Sequence, residues 1–535
     1  MRFSGKPLRD VHVTKRTLGR AVGLFCAGSL LCATAAMAQN ERGDWPLAGS
    51  DPGQNGVQKD EVVLSPDNAA TQFKFLWKLK LGERAKNASS FSEPLLAGRL
   101  INAQGFKDFV YWGSADTLYA VDSELGRVVW KKQYSMQNGK AGAGCGVSSL
   151  DIMMEPPVVI NFKARRRRAP GTPPPPPPTV MKSDERKLGI APGGGYFGLK
   201  GIYVLTPDGM LHEQVMTTGA DFAPAVKFLP AGNGDASGLN FADKTIYTET
   251  AQDCGGVANG IWSIDLSDGN YKVANYSTGK VQPLALSGPV LTADGTSIFM
   301  TGAGSSDANA GVYAGSVVAV DKDMKVADWY TPEGGMASYE AVSPATFAYK
   351  GKQLVVAPGK DGSIALLDAA SLGGADHHTP LFETPALSKA GEKHGWDGFA
   401  TWQDKDGAAW VFASVAASVS ASGVNGTAAH GAVVAFKVDD ADGKLSLEPA
   451  WVSGDMVNPA PPRFANGLVI ALAGGDALTH AVLHVLNAAT GAELFSSKDQ
   501  VPTYSRLSGV SVGDSHAFFT DHDNVLYSFG IGIEH

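Results

Sequence analysis

The strongest constraint on this chain is a short β-hairpin that recurs along it. Residues 115–130 carry one copy, with an apolar run at 118–121, turn chemistry at 122–126 and a second β-rich run that ends in Trp130. Asp122 can accept hydrogen bonds from turn amides, Gly126 can take a positive φ without steric cost, and Trp130 offers a large apolar area to a neighbouring sheet. One hairpin cannot bury both of its faces, so its meaning rests on repetition.

The pattern of a Pro-led run, a β-run and an apolar run closing on Asp or Asn returns throughout the sequence. After the first unit at 93–130, a second joins 157–160 to 202–205, and a third joins 245–247 to 262–265. A fourth spans 289–321 and closes on Trp329, a fifth runs from Pro344 to Asp368, and a sixth from Phe399 closes on Trp451. The seventh runs from Pro462 through Asn487 to Phe495, and the eighth from Val510 to Phe529. Copies at irregular spacings of roughly 40 to 85 residues, each four strands long, predict an all-β, eight-bladed propeller of four-stranded antiparallel blades over 91–535. The last copy stops after its third strand. The alternating run 73–79, within an N-terminal arm at 39–90, is therefore expected to supply the fourth strand and close the ring. A pair of unrelated β-sandwiches is the competing fold.

The N-terminus has the pattern of an export signal over 1–38, with six basic residues, an apolar stretch at 21–36 and a small-x-small site ending at Ala38. Its removal would take the formal charge from −8 to −13, because the segment holds six basic residues and one acid. Such a surface suits solubility and argues against nucleic acid as a partner. No stretch of the mature chain has the length of a membrane span, and a monomer in the periplasm or outside the cell is expected. Two cysteines leave with the signal. Cys145 and Cys254 remain in an oxidising compartment, as a disulfide or as two separate buried thiols.

One segment breaks the repeat. Residues 163–196 combine four consecutive arginines, Arg165, Arg166, Arg167 and Arg168, with six prolines at 173–178 and a glycine run, within the second blade. This composition is expected to form a disordered or polyproline II insertion, either tolerated and solvated or a docking element for an acidic surface.

The segment 118–130 resembles the tryptophan-bearing repeat of the pyrroloquinoline quinone (PQQ) family, and 45–51 resembles the entry motif of those quinoproteins. Relatives with this repeat include periplasmic PQQ-dependent alcohol dehydrogenases and the cofactor-free scaffold lipoprotein of outer-membrane barrel assembly, so the fold alone leaves function open. Residues 355–362 resemble the segment whose lysine touches the quinone oxygens, which implies that Lys360 binds cofactor; an ordinary exposed turn lysine is the other reading. Residues 395–398 fall where the family places an aromatic residue and an amide beside the cofactor. The resemblance thus implies cofactor contacts at Trp396 and Asp397, although Asp397 replaces the amide and Trp396 also suits packing between blades.

Other positions depart from the family. Its Thr-Gly-x-Gly-Asn, a source of one Ca²⁺ ligand, is matched by 301–305 with Ser305 in place of the amide, a weaker ligand for a cation that needs six to eight oxygens. The vicinal cysteine pair is reduced to Cys145, and the aspartate-rich segment bearing the catalytic base is replaced at 332–336, where Glu333 or the nearby Glu340 could substitute. No catalytic residue is assigned. Asp376-His377-His378 lacks a third ligand at metal-binding spacing and reads as a solvated loop. Two functions remain open. One is a quinoprotein-like propeller that binds PQQ, with Ca²⁺, or a similar small ligand, and oxidises an alcohol or sugar if active. The other is a non-catalytic scaffold that holds envelope proteins.

Overall fold

A computed structural model describes residues 43–82, 92–102, 105–135, 150–154, 201–230, 235–284, 287–336, 338–404, 406–420, 426–505 and 509–532. The segment 1–38, the insertion 163–196 and Cys145 lie outside them. Eight sheets with four antiparallel strands each follow one another along the chain, and two of them gain a fifth, parallel strand, Tyr339–Val342 in blade 6 and Val57–Gln58 in blade 7. Blade 1 is Leu95–Asn102, Gly105–Gly113, Thr117–Asp122 and Arg127–Gln133, and blade 2 is Asp151–Met154, Gly201–Leu205, Met210–Val215 and Asp221–Lys227. Blade 3 begins at Ala236–Ala242, blade 4 at Val290–Leu291, blade 5 at Ala345–Tyr349, blade 6 at His394–Gln403 and blade 7 at Arg463–Ala465. Blade 8 consists of Ser511–Gly513, His516–Thr520 and Val525–Gly530, and its fourth strand is the N-terminal Lys74–Lys80, antiparallel to Val525–Gly530. The ring is closed as the sequence predicts. Before that strand stands α1 (Pro66–Gln72), with proline at its first position, where a missing N–H costs no hydrogen bond. No helix among the described residues is long and apolar enough to cross a membrane.

Three junctions between neighbouring blades are made by a tryptophan seated on a glycine. The outer-strand residues Trp77, Trp130 and Trp451 each lay the indole over the hairpin of the next blade, at Gly126, Gly219 and Gly491; a Cβ at any of the three would come within 2.5 to 2.7 Å of the ring. Each indole also donates a hydrogen bond to that hairpin: Trp77 Nε1 to Ser123 O at 2.8 Å, Trp130 Nε1 to Met216 O at 2.9 Å, and Trp451 Nε1 to Ala488 O at 2.9 Å. A β-bulge aims each ring. Val129, Ala450 and Leu76 are extra residues in their ladders, each directly before its tryptophan, and the added local twist turns the indole towards the next blade.

The arm does more than lead to the closing strand. Its residues 45–58 make one turn around the axis and bond to the innermost strand of every blade. Trp45 N donates to Leu96 O in blade 1 (2.7 Å), and Pro46 O accepts from Met154 N in blade 2 (2.9 Å). Pro52 O accepts from Asn240 Nδ2 of blade 3 and from Leu291 N of blade 4. Gly53 O, Asn55 O and Gly56 O accept in turn from Thr346 N, Thr401 N and Phe464 N of blades 5, 6 and 7, and Gln58 Nε2 donates to Val512 O of blade 8. Polar groups on the inner strand edges, which would face a narrow channel, are satisfied in this way.

A buried ion pair fixes the arm. Arg463 Nη2 of blade 7 lies 2.6 Å from Glu93 Oε2 at the entry to blade 1, and both side chains are 4% exposed. Glu93 Oε1 accepts from Trp45 Nε1 (2.6 Å) and Gly49 N (3.2 Å), while Arg463 Nε donates to Val510 O (2.9 Å).

Two stability measurements check these joints. Gly491→Ala adds a Cβ against the Trp451 ring at a backbone φ of +73°. It is expected to cost about 2–4 kcal/mol in urea unfolding, and an unchanged midpoint would refute the indole seat. Arg463→Met leaves the Glu93 carboxylate buried without its cation and is expected to cost about 3–5 kcal/mol. A loss below about 1 kcal/mol would show that the axis does not depend on the pair.

Candidate functional site

The sequence-derived positions lie on the face formed by the connections between second and third strands, here called the funnel face. Ser305 is exposed in the blade 4 connection between Ser297–Met300 and Val317–Val320. Lys360 starts the 3₁₀ turn Lys360–Gly362 between Lys352–Pro358 and Ile364–Asp368 of blade 5. Trp396 and Asp397 lie in the inner strand of blade 6, where their backbones pair with Ala341 and Val342 of the parallel strand Tyr339–Val342. Their side chains lie outside the described part of the structure.

The Lys360 turn is fixed from beneath. Tyr339 Oη donates to Gly359 O at 3.1 Å, and Ser363 Oγ, just after the turn, donates to Glu383 Oε1 at 2.6 Å. The Tyr339 ring packs 4.8 Å from that of His394, whose Nε2 lies 2.9 Å from Ser388 Oγ. Lys360 itself is exposed and makes no ion pair among the described residues. Its Nζ lies 3.0 Å from the point that a Cβ at Gly334 would occupy, and the φ of +83° there favours glycine.

Gly334 is in the wall of a cavity of about 660 Å³ at the junction of blades 4 and 5, together with Gly304, Ser306, Glu333, Met336 and His378. This volume falls in the range of small-molecule sites. The fold therefore gathers Lys360, the neighbours of Ser305 and Glu333 in one region. It sends Glu340 elsewhere, because Glu340 Oε1 accepts from Lys393 Nζ (3.0 Å) at the surface. Nearer the axis, the cavity bounded by Gln54, Ser287, Phe399 and Arg463 has a volume of about 10 Å³, room for one water at most.

An unpaired ammonium beside a cavity fits an anionic, planar ligand such as PQQ. Ca²⁺ at Ser305 does not fit. Among the described residues the grouping of three acidic or histidine ligands is Asp108, Glu124 and Asp514 at the seam of blades 8 and 1, not around Ser305. There, burial pushes Asp108 up to about 6 and the Asp514 carboxyl beside it adds to the rise, so this group favours holding a proton. The Cys254 side chain, 1% exposed, is disulfide-bonded and is not a free thiol.

One carboxyl carries no sequence signal. Asp151 heads the inner strand of blade 2, and its Oδ1 accepts from Gly238 N of blade 3 at 3.0 Å. Burial pushes it up to about 8, and the nearby Asp235 charge adds to the shift. Asp151-Ile152 looks like any strand start, so only the tertiary fold reveals it. The folded state keeps a proton that the unfolded chain releases near pH 4. This contribution is complete below pH 4 and is lost as pH rises towards 8. Asp151→Asn is expected to flatten the decline of Tm between pH 5 and 8; wild-type and variant curves that run parallel would refute the assignment.

No protein-family model matches the chain, and no curated protein matches it in sequence. Among solved structures it is similar to quinohemoprotein alcohol dehydrogenase from Comamonas testosteroni, with a TM-score of 0.54 at 14% identity over 94% of this chain and 82% of that one. It is also similar to a europium-containing methanol dehydrogenase, with a TM-score of 0.50 at 11% identity over 92% of this chain and 98% of that one. At such identities the likeness is one of fold, a quinoprotein-like propeller.

Proposed function

We propose that this chain is an exported, quinoprotein-like propeller that binds PQQ or a similar small anionic ligand on its funnel face, with Lys360 as the counter-charge. The observation that carries this reading is the exposed Lys360 ammonium, without an ion pair among the described residues, beside Gly334, itself a wall residue of the 660 Å³ cavity. A lysine on a turn whose backbone is held by Tyr339 and the Ser363–Glu383 bond can bind carboxylate or quinone oxygens by charge-assisted hydrogen bonds. When bound, PQQ would supply an electron-accepting quinone, and the lysine would favour negative charge on its oxygens. Among the described residues no group of three acidic or histidine ligands converges at Ser305, so the reading is ligand binding without Ca²⁺-assisted alcohol oxidation.

Titrating the purified mature protein with PQQ, with and without Ca²⁺, while following the quinone absorption tests this. Saturable one-to-one binding at micromolar PQQ is expected, insensitive to Ca²⁺, and Lys360→Ala should weaken it by about tenfold, or about 1.4 kcal/mol. No spectral change up to about 100 μM PQQ, a limit of roughly 5 kcal/mol, would overturn the reading and leave the scaffold for envelope proteins in its place.

A further inference from the structure

At the junction of blades 4 and 5 the tryptophan seat is built differently. Gly126 and Gly491 each stand four residues after the Asp or Asn that begins their hairpin; four residues after Asp368 stands Leu372, fully buried. The connection 369–381 is longer than those hairpins, and it bends back over blade 4. His377 takes the place of the glycine there. Its ring stacks on Trp329 with centroids 3.6 Å apart and planes 16° from parallel, while Tyr313 packs on the same indole at 5.0 Å.

Polar links hold the connection in place. His377 Nδ1 lies 2.9 Å from Asp328 Oδ1, whose Oδ2 accepts from Leu372 N at 2.7 Å. Thr331 N donates to His377 O at 2.9 Å. The next residue, His378, places Nδ1 2.8 Å from Thr331 O, so that nitrogen carries the proton and Nε2 of the neutral ring is an acceptor. Asp376, His378 and Thr379 are wall residues of the 660 Å³ cavity. The sequence motif read as a solvated loop is thus anchored to blade 4.

We propose that the connection 369–381 is a clasp in which His377 acts as a positioning residue, setting the outer wall of the ligand cavity by its stack on Trp329. His378, in the same cavity wall, then presents an acceptor to a ligand hydroxyl or N–H, which selects anionic ligands that also carry a donor. This rests on the proposed ligand-binding function for its second half only.

Hydrogen exchange of the ligand-free protein, followed by mass spectrometry, decides the clasp by itself. His377→Ala is expected to speed exchange across 369–381 at least tenfold with little change in other blades, and His377→Phe, which keeps the stack, should restore most of the protection. Asp328→Asn, which weakens the His377 contact and the bond from Leu372 N but keeps the stack, should give an intermediate increase, and it serves if the alanine variant does not fold. Unchanged exchange in 369–381 on loss of the stack would overturn the clasp. PQQ titration then tests the wall: the Kd should rise about tenfold in His377→Ala and recover in His377→Phe. Faster exchange with an unchanged Kd would refute the role in the cavity. If the wild type binds no PQQ, the ligand reading fails and the exchange result still decides the clasp.

Discussion

A carboxylate and a guanidinium 2.6 Å apart hold the axis of this propeller together. Glu93 belongs to the entry of blade 1 and Arg463 to blade 7, two positions 370 residues apart in the chain. Between them they bind the arm through Trp45 and Gly49 and reach blade 8 through Val510. A buried charge pair is a poor source of net stability, because desolvation offsets most of the attraction. It is a strong source of specificity, since either charge left alone at 4% exposure is costly. The pair favours the register in which the arm makes its full turn and closes the ring.

The seams around the circumference follow another logic. They are local and repeated: a bulge before the tryptophan, an indole on the next glycine, and one hydrogen bond from Nε1. Each seam joins only neighbours, so one can vary without disturbing the rest. The blade 4 to blade 5 seam has varied in this way, with Leu372 at the glycine position and His377 supplying the flat surface. A ring whose centre is fixed by long-range polar contacts can tolerate a rebuilt seam at its edge.

The same contrast explains what the sequence made legible. Trp130, Gly126 and the runs around them follow β-strand periodicity and turn chemistry, so the eight blades and the closing strand 74–80 could be read from local pattern. The resemblance singled out Lys360 and Ser305, and both lie in connections between second and third strands because each sits at a fixed offset within a repeat. Three features were not legible. The circuit of 45–58 depends on backbone groups that have no side-chain signature; Asp151 owes its shift to Gly238 and Asp235 in the next blade. His377 has meaning only against Trp329, 48 positions earlier. Local sequence encodes the blades, whereas the chemistry of the site is made by contacts between them.

The cavity lies where the described blades depart from the plain repeat. Its walls come from three departures from the plain blade: the long connection after Met300, the excursion 331–344 that leaves blade 4 to pair with the inner edge of blade 6, and the connection 369–381. Val342 N within that excursion donates to Leu284 O at 2.7 Å, so the excursion is tied to blade 4 again as it approaches the axis. The regular blades leave little internal space: the axial cavity admits a single water, and the indole seats have no room for a methyl group. A ligand of any size must therefore be accommodated by added loops and not by the repeat itself. Placing those additions around Lys360, on a turn whose backbone is held by Tyr339 and Ser363, puts irregular loops next to an exposed cation. Rigidity is supplied by the ring, and the shape of the cavity by the loops between blades 4 and 5.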